Sequence, residues 1–533
     1  MSFRSPHPDV HIPDLPLGDV VLGAALTRAG QPALVDGISG RVITYGELVA
    51  QVRGVAAGFA ALGIGKGDVV ALWSPNSPEF AIVFHAVAKL GAIITTANPV
   101  ATSHELSRQL MDAGARLLVT TAALLDRARE AIDKTGRPIT LVTTDVTPGV
   151  ASLASIALDA DPPAVTIVPA EDVIALPYSS GTTGLPKGVM LTHRNLVANL
   201  MQVDALEHPD LRAFVGVLPF FHIYGMLVIL NFALMRGATV VTLPRFELEP
   251  FLKVLQEWPI ALAHFVPPVA VALAKHPAVD NYRFPHLKWL FSGAAPLGPE
   301  LTAAIRQRLG VTIRQGYGMT ECSPASHYTA PEADRDGTIG PLVPCTEGRI
   351  VDPETGADLG PGERGELWVR GPQVMKGYLN NPEATASTVD ADGWLRTGDI
   401  GVVDADGYLT IVDRLKELIK VKGYQVAPAE LESLLLDHPL IADAAVIPVF
   451  DAESGEAPKA FVVARGAVSA EDVRAFIHER VSHYKRLREV VFVDTIPKSP
   501  SGKILRRVLI EQERAAPDLS AVALAKAEGG PYD

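Results

Sequence analysis

The chain has 533 residues, 48% hydrophobic and 20% charged, the balance of a globular enzyme, with length for roughly three to four domains at about 150 residues each. Acidic side chains outnumber basic ones 60 to 47, for a net charge of −13; this argues against a nucleic-acid binder held by a broad positive field, though not against a local basic site for a phosphate-bearing ligand. The 45 glycines and 42 prolines follow no period, which excludes collagen, and the two cysteines, Cys322 and Cys345, exclude a disulfide framework and suit a reducing, cytoplasmic compartment.

The N-terminal stretch, with prolines at 6, 8, 13 and 16, lacks the apolar core of a signal peptide, and the C-terminal residues carry no lipidation address. Apolar residues at helical spacing predict a helix over Tyr45–Leu62 that stops at Gly63. A strand over Asp68–Trp73, a helix over Pro78–Leu90 and a strand over Ala92–Thr96 follow. Ser103 is expected to cap the next helix, before a strand over Arg116–Thr120. This alternation predicts an α/β fold of layered, doubly wound, mostly parallel sheets. Ala213–Met235 is the most apolar stretch, but it contains Pro219, His222, Tyr224 and Asn231 and is expected to be buried core, not a membrane span.

Strand-like runs with Gly/Asp turns fill residues 362–415 and predict a β-barrel-like subdomain. A small α+β unit comes next. It has a helix over Pro428–Leu436, strands over Ala444–Val449 and Ala460–Val463, a capping box at Ser469–Asp472 opening a helix to His483, a strand over Val490–Val493 and a final helix over Ile504–Arg514. The expected division is 1–413 for the large N-terminal domain and 414–533 for a lid of about 120 residues.

Residues 178–189 read YSSGTTGLPKGV after an apolar strand. The glycines permit close backbone approach to an anion, the hydroxyls donate, and Lys187 adds charge. The spacing is not that of the common P-loop, and a flexible Ser/Thr/Gly linker is the competing reading of such a loop.

The full string resembles the signature of the adenylate-forming (ANL) superfamily. Its members include acyl-CoA synthetases, 4-coumarate–CoA ligases, firefly-type luciferases and peptide-synthetase adenylation domains. Further segments of that superfamily follow in order: LPFFHIYG at 218–225, SGAAP at 292–296, QGYGMTE at 315–321, GELWVRG at 365–371, WLRTGDI at 394–400, DRLKELIKVKG at 413–423 and IPKSPSGK at 496–503. The resemblance implies an ATP-dependent acid–thiol ligase. A carboxylate attacks the α-phosphate of ATP, and the resulting acyl-AMP is then attacked by the thiol of coenzyme A.

Residue roles carry over by matching motif positions. ATP and AMP would be bound by Ser179, Ser180, Gly181, Thr182, Thr183, Gly184 and Lys187. On the adenine and phosphate side they would meet Gly293, Ala294, Ala295, Gln315, Gly316, Tyr317, Gly318 and Thr320, and on the ribose side Asp399 and Arg414. Glu321 would hold Mg²⁺, which prefers hard oxygen and enters with phosphates. His222 would orient the carboxylate, although a lone histidine in an apolar run is usually a core residue. Tyr224, Val228, Gly293, Gly318, Pro324 and Ala325 would line the acyl pocket. Lys503 would be the adenylation lysine, a point charge on a flexible arm. Lys420 and Gln425 would serve the thioester step, with Lys422, Gly423 and Tyr424 receiving CoA and Lys416 as the hinge of a rotating lid. No base accompanies Cys322, so it is not expected to be a catalytic thiol.

Leu367 and Trp368 depart from the GEICIRG of plant 4-coumarate ligases, and Val228 stands where coumarate relatives often carry a polar residue. A cinnamic or arylalkanoic acid such as 4-coumarate is the leading substrate, with a medium- or long-chain fatty acid as the alternative. A stand-alone adenylation enzyme charging a carrier protein and a non-enzymatic ligand-binding scaffold are the competing functions. The partners expected are the acid, ATP and CoA, with no nucleic acid, in a monomer or homodimer.

Overall fold

The computed structural model describes every residue except Met1, 180–185, Pro296, 333–334, Lys416, 422–423, 452–454, Ser482, 500–501 and 516–533. The chain divides into two compact units, Met1–Ile411 and Val412–Asp533.

Three sheets of the first unit are built mainly from parallel strands. The largest runs, in spatial order, Tyr178–Ser179, Lys187–Thr192, Val173–Ala175, Ile93–Thr96, Val69–Trp73, Ala115–Thr120, Thr140–Thr143 and Ala151–Ser152. Gly377–Tyr378 pairs alongside Lys187–Thr192. The second joins Ala213–Gly216, Thr239–Thr242, Pro32–Asp36 and Val42–Thr44, and the third joins Leu262–Phe265, Trp289–Ser292, Thr312–Gly318 and Ala325–Tyr328. An antiparallel sheet follows, in the order Phe3–Arg4, Glu347–Val351, Arg364–Arg370, Leu395–Val403 and Leu409–Arg414. The helices Tyr45–Ala61 and Pro78–Lys89 bury Leu48, Val52, Val55, Phe59, Phe80 and Phe84 in the main core.

Cap chemistry fixes the helix starts. Thr44 accepts from the Glu47 N–H at 3.3 Å while the Glu47 carboxylate accepts from the Thr44 N–H at 2.8 Å. The next cap differs from the expected one. Thr102, not Ser103, caps Ser103–Ala113, because Thr102 is extended and has Glu105 three residues on to close the box. In the second unit the Ser469–Asp472 box is present, but its helix is Ala470–His478 and stops short of His483. The His478 ring bonds the Leu487 carbonyl at 3.1 Å as the chain turns back, and His483–Lys485 forms a separate 3₁₀ turn.

The apolar stretch at 213–235 is buried, as its polar residues suggested. It is not one helix but the strand Ala213–Gly216, a π-helix over Tyr224–Asn231 and a short α-helix over Phe232–Arg236 that ends at Gly237 with φ +75°. Among the described residues no helix is long and apolar enough to cross a membrane.

The second unit is a five-stranded sheet of Tyr424–Val426, Ile419–Val421, Gly455–Ala464 and Ile441–Asp451, with Glu489–Phe492 paired to Gly455–Ala464. Leu431 and Leu435 of Pro428–Asp437, with Val473 and Ile477, cover one face over Ile441, Val446 and Val462. Lys498 pairs with Asp443 at 2.7 Å, and Arg506 with Glu432 at 2.7 Å.

His85 lies in the core with neither ring nitrogen hydrogen-bonded among the described residues, and burial pushes its pKa down to about 3. Below about pH 6.5 the unfolded chain therefore binds a proton that the folded chain refuses, so stability falls as pH drops from there towards 3. Each such histidine adds a slope of about 1.4 kcal/mol per pH unit. Urea midpoints measured from pH 7 to pH 5 should fall less steeply for His85→Leu than for the wild type. Equal slopes would count against this origin of acid sensitivity.

Candidate active site

Antiparallel pairing of Tyr178 with Gly188 and of Ser179 with Lys187 closes the base of the glycine-rich loop. Ser180, Gly181, Thr182, Thr183 and Gly184 of that loop lie outside the described residues. A side chain at Gly188 would press on the Tyr178 ring and Leu176, each within 3.2 Å, which accounts for glycine there. Lys187 lies over the Tyr378 ring, its Nζ 5.0 Å from the centroid. The Tyr378 hydroxyl donates to Glu321 Oε1 at 2.8 Å, and burial followed by the Glu321 charge pushes this phenol well above its ordinary pKa, so it stays a donor. Lys187, Tyr378 and buried Glu321 thus form one chain of contacts.

The segments expected on the adenine side sit at the carboxyl ends of the parallel strands Trp289–Ser292 and Thr312–Gly318, where open α/β sheets bind ligands. Ala294 takes φ +71°, unusual for a non-glycine residue. A side chain on Gly318 would come within 1.9 Å of the Pro324 carbonyl oxygen, so this position demands glycine. Tyr317 donates to Asp399 Oδ2 at 2.5 Å, and burial first, then the Asp399 charge, raises the phenol far above its usual value. Asp399 is itself buried, its N–H donates to Thr397 Oγ1 at 3.1 Å, and the preceding Gly398 N–H donates to Glu366 Oε1 at 3.0 Å. Gln315 and Thr320 are buried, and a side chain at Gly316 would come within 2.7 Å of the Phe291 ring. Cys322 is fully buried; burial and then the Glu321 charge push its thiol well up, so it is no nucleophile.

Asn76 holds the segment leading to His222, which is expected on the acyl side. Its amide donates to the Gly216 and Leu218 carbonyls at 3.0 and 2.8 Å and accepts from the Phe220 N–H at 2.7 Å. Thr96 donates to the Phe221 carbonyl at 2.7 Å. His222 is half-buried, and its Nδ1 accepts from the Tyr224 N–H at 3.3 Å. The Tyr224 hydroxyl shares a 2.9 Å hydrogen bond with His264 Nδ1, and its ring stands where a Gly293 side chain would collide, at 2.9 Å. Val228, Pro324 and Ala325 are buried, and Ala325 is clamped through both backbone groups by the Asn199 amide at 3.1 and 2.8 Å.

In the second unit Lys420 and Gln425 are backbone partners across adjacent strands. The side chains of Arg414, Lys420, Tyr424 and Gln425, and the whole of Lys416, Lys422 and Gly423, lie outside what is described. Lys503 follows a tight turn in which its N–H donates to Ser499 Oγ at 3.1 Å, its carbonyl accepts from the Ser499 N–H at 2.8 Å, and Gly502 takes φ +81°. Within the first unit the structure therefore brings together Lys187 with Glu321, Tyr317 with Asp399, and Tyr224 with Gly293. Tyr378, Asn76, Thr96 and His264 escaped the sequence reading. Each acts on a partner at least 40 residues away, and none lies in a motif-like string.

The AMP-binding enzyme family matches residues 23–379, and the AMP-binding enzyme C-terminal domain matches 430–503. The chain belongs to the AMP-binding enzyme family. Among the relatives of this family member, 4-coumarate–CoA ligase 1 of Petroselinum crispum is 44% identical over 526 residues, covering 96% of each chain. 4-Coumarate–CoA ligase 2 of Oryza sativa subsp. japonica is 45% identical over 536 residues, covering 95% of this chain and 94% of that one. An anthranilate CoA ligase solved with anthranoyl-AMP superposes with TM-score 0.87 at 28% identity, over 95% of this chain and 98% of its own. The o-succinylbenzoate CoA synthetase of Bacillus subtilis, solved with its acyl-adenylate, gives 0.81 at 28% identity, over 93% and 98%. The enzyme class of this family member is that of an AMP-forming carboxylate–CoA ligase.

Proposed function

We propose that the chain activates 4-coumarate or a related cinnamic or arylalkanoic acid, first as acyl-AMP with release of pyrophosphate and then as acyl-CoA with release of AMP. Full-length likeness to 4-coumarate–CoA ligases at 44% identity carries this reading of the acid. The Tyr224 ring, Val228 and Ala325 supply an apolar wall suited to a flat aryl group, and Gly293 and Gly318 keep side chains out of it.

In this reading His222 orients the carboxylate, and Lys187 offsets phosphate charge. Asp399, whose carboxylate accepts from the Tyr317 hydroxyl, offers acceptor oxygens to the ribose hydroxyls. Glu321 is the Mg²⁺ residue. Its single buried carboxylate fits an ion whose other ligands arrive with the nucleotide phosphates. Bound there, Mg²⁺ would neutralise phosphate charge. Lys503 supplies the cation for adenylation, and Lys420 and Gln425 serve the thioester step, with the lid turning about Lys416.

AMP release should depend on both acid and CoA. Across cinnamate, 4-coumarate, ferulate, benzoate and fatty acids of graded length, kcat/KM should be greatest for the arylpropenoates. A strong preference for saturated chains would sink the acid assignment, and pyrophosphate release indifferent to CoA would favour a carrier-protein adenylation enzyme.

A further inference from the structure

Parallel pairing makes His264, Phe291 and Arg314 register partners across three neighbouring strands, so the three side chains share one face of the sheet. Phe291 stacks on Tyr328 with centroids 4.3 Å apart, and Arg314 is fully buried over both rings at 5.2 and 5.3 Å. The Arg314 charge is answered locally. Nη1 donates to Glu207 Oε2 at 3.1 Å, and Nη2 lies 3.1 Å from Oε1, out of hydrogen-bond geometry but in Coulombic contact.

His264 sits at the end of this row. It stacks on Phe214 at 6.3 Å, and the Tyr224 ring meets it edge-on at 5.5 Å. Nδ1 is engaged with the Tyr224 hydroxyl, but Nε2 is buried and has no hydrogen-bond partner among the described residues. Burial, and then the Arg314 charge, push the imidazole pKa down to about 3, so the ring is neutral and has one N–H and one lone pair. Burial holds the Tyr224 phenol protonated. In the tautomer in which that phenol donates to Nδ1, the imidazole proton resides on Nε2, and a buried N–H without a partner among the described residues is costly enough to call for a ligand group.

We propose that the Tyr224–His264 pair reads a hydroxyl on the acyl group, making His264 a specificity-determining residue that favours a hydroxylated aryl acid over the same acid without its hydroxyl. The inference rests on the aryl-acid reading above. A hydroxyl suits the site because its oxygen can accept from a neutral imidazole. A carboxylate on the acyl tail would find no cation there, since Arg314 is already paired with Glu207.

The test compares 4-coumarate with cinnamate, which differ by that hydroxyl alone. The wild type should prefer 4-coumarate. H264L should lose about tenfold or more in kcat/KM for 4-coumarate and less than about threefold for cinnamate, so the preference collapses. H264N, which restores a donor, should recover part of it. If H264L does not fold, H264M conserves volume, removes both nitrogens and gives the same comparison. Equal proportional losses on both acids, or no change on either, would overturn the inference and leave the aryl-acid reading standing. A wild type that activates neither aryl acid but does activate saturated ones would overturn both readings, and would do so before any variant is made.

Discussion

Replacing Lys503 with alanine should lower acyl-AMP formation by about 10²–10³-fold while leaving thioester formation from supplied acyl-AMP within a fewfold of wild type. The magnitude is that of removing one preorganised charge or donor from developing transition-state charge, about 2.7–4 kcal/mol. The chemistry makes the loss selective. Adenylation joins two anions, a carboxylate and a polyphosphate, whereas the thiol step begins from an anhydride already formed. The turn that carries Lys503 is bonded through its own backbone N–H and carbonyl to Ser499, and those bonds do not depend on the side chain. Acid-dependent exchange of pyrophosphate into ATP reads the first half-reaction, and CoA consumption with synthetic acyl-AMP reads the second. Equal loss in both would remove Lys503 from its assigned step.

Glu207→Ala should be strongly destabilising. It strands the fully buried Arg314 guanidinium and takes the acceptor from the Tyr328 hydroxyl, which now bonds Glu207. Breaking a buried pair by removing one partner costs about 3–5 kcal/mol, whereas replacing both partners with apolar residues of similar volume is often close to neutral. The thermal unfolding midpoint of Glu207→Ala should therefore fall by several degrees, and Glu207→Leu combined with Arg314→Met should regain most of the loss. A double variant no better than Glu207→Ala would mean that the pair contributes more than mutual charge compensation.

The fold class could be read from the sequence because its causes are local, whereas the expected site segments rest on their resemblance to the superfamily's motifs. Gly318 is required by the nearby Pro324 carbonyl, and the strand–loop–strand pattern around Lys187 is written in consecutive residues. The cap at Thr102 was also within reach. Thr102 and Ser103 are both hydroxyl residues, but only Thr102 has a glutamate three positions later. What could not be read depends on distant partners. Nothing near Tyr378 announces that its hydroxyl will meet Glu321, 57 residues earlier, or near Asn76 that its amide will hold a segment more than 140 residues on. Likewise, nothing near His478 announces that its ring will meet the Leu487 carbonyl as the chain turns back.

The wide turns of Tyr224–Asn231 make the proposed acyl wall depend on the number of residues in the chain as well as on their identity. A π-helix spends extra residues per turn, while an α-helix advances about 100° with each one. Losing a single residue between 225 and 231 would barely alter hydropathy, yet it would let the segment relax to α and swing His222 and Tyr224 about the axis relative to Phe232–Arg236. Insertion and deletion, not substitution alone, are thus a route by which descendants of this gene could exchange one acid for another.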